Sequence, residues 1–133
     1  MKIDEIEGIG KVYAEKLIAA GIKNTDLLLE KGCTKKGRQE LAEQTGIAEK
    51  LILTWCNHAD LFRINGVGPQ FAELLEAAGV DTVKELGHRV AANLVKKMEE
   101  VNAEKKLTRR VPSETEVQKM IDQAKELPAV MTY

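Results

Sequence analysis

The stretch Ile6-Glu7-Gly8-Ile9-Gly10-Lys11-Val12-Tyr13-Ala14-Glu15-Lys16-Leu17-Ile18-Ala19-Ala20-Gly21-Ile22 returns without a gap as Ile64-Asn65-Gly66-Val67-Gly68-Pro69-Gln70-Phe71-Ala72-Glu73-Leu74-Leu75-Glu76-Ala77-Ala78-Gly79-Val80. Nine pairs are identical: Ile6/Ile64, Gly8/Gly66, Gly10/Gly68, Ala14/Ala72, Glu15/Glu73, Leu17/Leu75, Ala19/Ala77, Ala20/Ala78 and Gly21/Gly79. Tyr13/Phe71, Ile9/Val67 and Ile22/Val80 keep their chemistry. Such a repeat governs the reading of everything around it. Each copy has an apolar residue closing one helix, a Gly-apolar-Gly turn, and a second helix. Val12, Leu17 and Ala20 are expected to supply part of that helix's inner face in copy one. The paired glycines let the chain turn tightly, with Ile9 or Val67 pointing back to join the helices. Gly21 and Gly79 sit where a helix end wants a left-handed residue, each followed by an apolar anchor.

Outward from the repeats the chain stays helical in pattern. Thr25-Asp26-Leu27-Leu28-Leu29 follows copy one and Thr82-Val83-Lys84-Glu85-Leu86 follows copy two, where Thr82 and Glu85 have capping-box spacing. Thr34 to Gln44 and Arg89 to about Asn102 are amphipathic, and copy one carries about eight extra residues before its last helix. Ala48 to Ile64 reads as one long helix with Leu51, Ile52, Trp55, Ala59 and Phe62 inward, joining the halves. Ser113-Glu114-Thr115-Glu116 opens a final helix whose stripe, Val117, Met120, Ile121 and Ala124, is expected to pack on the domain.

The 133 residues, 44% hydrophobic, suffice for one domain or two small halves sharing a core. Aromatics are scarce at 4% and there are only three prolines, so the mixture favours helix, with almost no strand. Lys and Arg number 20 against 21 Asp and Glu, a formal charge of −1, so overall charge calls for no polyanion. A nucleic-acid site would need local basic clusters. Cys33 and Cys56 stand apart with no signal-peptide pattern, which reads as a reduced, cytoplasmic protein. No apolar run approaches the roughly 20 residues that span a bilayer, so no membrane partner is expected.

The pattern I-x-G-I-G-x-x-Y-A-x-x-L-x-x-A-G-I resembles the helix-hairpin-helix modules of DNA repair and replication proteins, and its two copies resemble their tandem form. Gly37-Arg38, Leu41-Ala42, Thr45-Gly46-Ile47, Trp55, Ala59-Asp60-Leu61, Arg63-Ile64 and Pro112-Ser113 resemble the domain-of-unknown-function family 4332, a likeness covering essentially the whole chain. The first resemblance implies that turn amides and helix N-termini hold phosphates, since unpaired N–H groups at a positive helix end attract anions. Carried over by position, the candidates are Gly8, Gly10 and Lys11 in copy one and Gly66, Gly68 and Gln70 in copy two. Binding of that kind reads the backbone of double-stranded DNA and is salt-sensitive. Glu5 and Glu7 flank the first turn, and Asn65, Pro69 and Gln70 put no base at the second. Pro69 suits a first helical position. Lys31, Lys35, Lys36 and Arg38, then Lys84 and Arg89, Lys96 and Lys97, and Lys105, Lys106, Arg109 and Arg110 form basic clusters, each equally readable as solvated mixed-charge surface.

Other chemistries find less support. Cys56, His58, Cys33 and His88 have no zinc spacing, so no metal is expected; Cys56 reads as a small buried residue and His58 as a surface one. Gly8-Ile9-Gly10-Lys11 lacks the strand and the Ser or Thr of a phosphate loop. No nucleophile–base pair or carboxylate pair stands out, so no catalytic residue, no cofactor and no enzyme are expected. Arg38, Asp60 and Arg63 lie near the core helices, and an ion pair such as Asp60 with Arg38 would pin the halves. The expectation is therefore an all-α, compact bundle of short helices with two pseudo-symmetric helix-hairpin-helix repeats, SAM-like, and a docking C-terminal helix. Its parts in a single domain 1–133 are repeat one 1–47 with hairpin 6–22, connecting helix 48–63, repeat two 64–103 with hairpin 64–80, linker 104–112 and final helix 113–127. Its expected role is non-enzymatic binding: weak, sequence-nonspecific contact with double-stranded DNA, or a protein–protein scaffold that kept the fold without the phosphate site.

Overall fold

Glycine, proline and short polar caps divide this chain into eight helices, and the computed structural model describes all 133 residues. They are α1 (Lys11–Ala19), α2 (Thr25–Gly32), α3 (Lys35–Thr45), α4 (Glu49–Leu61), α5 (Pro69–Ala77), α6 (Val83–Gly87), α7 (Ala91–Lys105) and α8 (Glu114–Glu126). The protein is all-helical; extended pairing is limited to an isolated antiparallel bridge between Lys2 and Asn24. Two compact units form, Met1–Asp60 with Val130–Tyr133, and Leu61–Ala129.

In the first unit, each helix starts where a side chain or glycine permits. Asn24 accepts from the Leu27 amide at 2.8 Å to start α2, and Thr34 accepts from the Gly37 amide at 3.1 Å to start α3. α1 stops at Gly21, whose amide bonds to the Ile18 carbonyl at 3.0 Å and whose φ of +90° turns the chain so that the Ile22 amide bonds back to Leu17 at 2.9 Å. Leu17, Leu28, Leu41 and Ile52 are fully buried. α2 and α3 approach so closely that a Cβ on Gly37 would lie 1.8 Å from the Lys31 carbonyl oxygen, and one on Gly32 would lie 2.3 Å from Cys56 Sγ.

Three expectations fail in this unit. Val12 is 64% exposed: it lies five residues before Leu17 and thus well round the helix from the Ala14–Leu17 face, while Ala20 is only half-buried. Leu51 is 36% exposed, one position off the Ile52, Trp55 and Ala59 row. His58 is buried, not on the surface, because the second half of α4 is enclosed on every side, Asn57 and Asp60 included. Before the first turn, moreover, Ile6 closes only a 3-10 turn, Ile3–Glu5, and not a full helix. The Thr25 amide bonds to the Met1 carbonyl at 3.0 Å and keeps the start of the chain extended.

In the second unit α8 packs on α6 and α7, and α7 on α5. The stripe Val117, Met120, Ile121 and Ala124 is buried in that core, as its spacing required. Burying side chains the size of Val117, Met120 and Ile121 stabilises by about 1.5–3 kcal/mol each. Ser113 and Glu116 form the expected capping box, with amide–side-chain distances of 3.2 Å both ways. Thr82 caps α6, but Glu85 does not complete a box: its carboxylate accepts from Arg89 at 2.9 Å. Arg89 also donates to the Gly79 carbonyl, and α7 begins two residues later, at Ala91. Beyond α7, Asn102 clamps the following loop by bonding both the amide and the carbonyl of Thr108.

Candidate nucleic-acid interface

The same backbone turn occurs once in each unit. In the first, Gly8 has φ +92°, the Ile9 amide bonds to the Ile6 carbonyl at 3.1 Å, and Gly10 enters α1 in extended conformation at φ −81°, ψ 179°. In the second, Gly66 has φ +94°, the Val67 amide bonds to the Ile64 carbonyl at 3.1 Å, and Gly68 enters α5 at φ −101°, ψ −173°. Only the first glycine of each pair needs its positive φ. The second is extended and could carry a side chain: with glycine as N-cap, no side-chain oxygen caps either helix, and the space a Cβ would fill is open at both Gly10 and Gly68. First-turn amides therefore face outward at a positive helix end. Ile9 and Val67 are buried and hold the turns down.

The surroundings of the two turns differ. The first lies over Trp55, whose Nε1 is 3.8 Å from a Cβ built on Gly8 and whose ring meets Tyr13 at 5.2 Å between centroids. Lys11 and Lys16 are exposed there. Of the two acids, Glu5 is turned back to accept from the Lys2 amide at 2.7 Å, and Glu7 is exposed. The second turn is backed by α8. Gln123 accepts from the Asn65 amide at 3.0 Å, and Met120 Cε lies 3.5 Å from a Cβ built on Gly66. Pro69 has no amide to offer, leaving Gln70, exposed, with the next amides of α5. Arg110, missed as a neighbour of this turn by sequence reading, lies over the Phe71 ring at 5.6 Å and grips Glu116 with two nitrogens at 2.9 and 3.0 Å. Among the candidates, Gly8, Gly10 and Lys11 come together in the first unit, and Gly66, Gly68 and Gln70 in the second.

Arg38 is buried and donates to the Gly32 carbonyl at 2.8 Å and the Thr132 carbonyl at 2.7 Å, beneath the Tyr133 ring. Nothing in the spacing of residues 128–133 announced that contact. No group of three or more His, Cys, Asp or Glu side chains is gathered where a metal could sit, and no helix is long and apolar enough to cross a membrane.

Fold and site together define an all-helical protein carrying a glycine turn and a side-chain-free helix start in each of two units. A family model matches residues 7–127, and the chain belongs to that family, the domain of unknown function DUF4332. No curated protein and no solved structure matches it.

Proposed function

We propose that the two turns are the hairpins of tandem, pseudo-symmetric helix-hairpin-helix repeats, and that the protein is a non-enzymatic module which holds the phosphate backbone of double-stranded DNA weakly and without sequence preference. The observation that carries this reading is the glycine N-cap with open space at Gly10 and Gly68, which leaves first-turn amides for an external anion. Gly8, Gly10 and Lys11 form the stronger half, with exposed Lys11 beside the turn; Gly66, Gly68 and Gln70 form the weaker, lacking one amide and a base. The test is fluorescence anisotropy of labelled duplex DNA at low and moderate salt, comparing wild type with a folded Lys11→Glu, Gly68→Asp variant. Binding that weakens with salt and vanishes in the variant supports the reading, and absence of binding at low salt rejects it.

A second reading has its own support. Net charge is −1, Glu7 is exposed at the first turn, and Gln123 already occupies the backbone of the second. A protein partner docking on retained hairpins suits those facts.

A further inference from the structure

After α8 the chain turns extended at Leu127, and Arg63 donates to the Pro128 carbonyl at 2.6 Å. Ala129 is exposed, and the next four residues belong to the first unit. There Thr132 donates its amide to the Cys33 carbonyl at 2.8 Å, and its own carbonyl accepts from buried Arg38 at 2.7 Å. Met131 is buried, and the Tyr133 hydroxyl donates to Asn57 Oδ1 at 3.2 Å. The seat thus holds the segment by both sides of Thr132, one bond to the Cys33 backbone and one from the Arg38 side chain, with buried Met131 before it and the Tyr133 hydroxyl bonded after it.

The hold is selective but shallow. Arg38 and Asn57 are 2% and 6% exposed and belong to the fixed wall, whereas Tyr133 is 64% exposed and Thr132 lies on the surface. A short surface segment with few buried contacts opens at low free energy without unfolding its support. Pro128 is tethered just before the segment and Ala129 is exposed, so the chain would turn there if the segment left.

We propose that this seat is an exchangeable peptide groove, in which Val130–Tyr133 of one copy leaves its own seat and fills that of a second copy of this chain. The wall is matched to this chain's own Met131-Thr132-Tyr133, so a second copy brings the same contacts at no new cost. The resident segment competes at an effective concentration of about millimolar, so exchange emerges as chain concentration approaches that range.

Sedimentation velocity of the full chain, equilibrated from micromolar to about millimolar, tests it. The expected result is a dimer whose fraction rises with concentration. Because the same contacts are broken and remade, the association constant should change little in a Met131→Ser, Tyr133→Ser variant with unchanged circular dichroism. An excess of the capped peptide Ala-Val-Met-Thr-Tyr should restore monomer, and should dissociate that variant at concentrations at least tenfold lower than it needs for the wild type. The same peptide N-methylated at threonine, which cannot donate to the Cys33 carbonyl, should be about fivefold weaker. A chain that stays monomeric throughout overturns the proposal. So does a dimer that the peptide fails to dissociate, or one that needs the same peptide concentration in wild type and variant.

Discussion

Replacing Gly10 by aspartate should stabilise the protein and, on the proposed function, weaken DNA binding, because the new side chain would cap first-turn amides that the proposal assigns to phosphate. Gly10 already has N-cap geometry, and nothing lies within 4 Å of the Cβ it lacks. An aspartate there accepts from first-turn amides, worth a few tenths of a kcal/mol over glycine. Its charge at the positive helix end adds about 0.3–1 kcal/mol, and lost freedom in the unfolded chain adds about 0.4–1 kcal/mol. Repulsion from exposed Glu7 removes a few tenths. The net is about 1 kcal/mol, on the order of 3–4 °C in melting temperature for a chain of this size. Gly8→Ala, two residues earlier, must hold φ near +92° and should cost about 1–2 kcal/mol. Thermal and urea unfolding followed at 222 nm read both, and duplex titration of Gly10→Asp reads the functional half. Loss of stability in Gly10→Asp, or indifference to Gly8→Ala, would refute the reasoning about which glycine serves conformation and which serves access.

Gly37→Ala should destabilise by 3 kcal/mol or more or prevent folding, since its Cβ would lie 1.8 Å from a backbone oxygen that has no room to move; urea unfolding or loss of soluble expression reads this. Burial pushes the Cys56 thiol up to about 12, so a thiol reagent at pH 8 should modify half-buried Cys33 in the native protein and both cysteines only in denaturant. Arg110 and the Ser113 amide hold the Glu116 carboxyl down at about 2, below its unfolded value, so its contribution is present above the usual carboxylate range and lost as pH falls toward 2. Glu116→Gln should flatten that acid limb of the stability curve, measured by urea unfolding at successive pH values.

The helical class, the capping box of α8 and its buried stripe were legible because each depends on local spacing. The glycine turns were legible because a backbone conformation open to few residues leaves the same residues at both places. Val12 and Leu51 misled because an apolar residue off the buried face, well round the helix for Val12 and one position off for Leu51, looks like core in the sequence, and only helix phase assigns it to solvent. His58 misled because residues 55–61 are buried without a break, which no one-sided helical pattern signals. The carbonyl grip of Arg38 was hidden for a similar reason: its partner Thr132 is 94 residues away and contributes a backbone atom that any sequence could supply. At the site, the positions of Gly8, Gly10, Gly66 and Gly68 were readable, whereas Arg110 beside Phe71 and Gln123 against Asn65 arise from packing of α8 and the loop before it.

The most direct test of the account is a residue-resolved amide titration, recording nitrogen–proton spectra of the labelled protein as a short DNA duplex is added at low salt. The account predicts the largest shifts at Gly8, Gly10, Lys11 and Val12, smaller ones at Gly66, Gly68 and Gln70, and their reversal as salt is raised. Saturable binding that leaves those amides unmoved while shifting others, or no change in the spectrum at all, would contradict it.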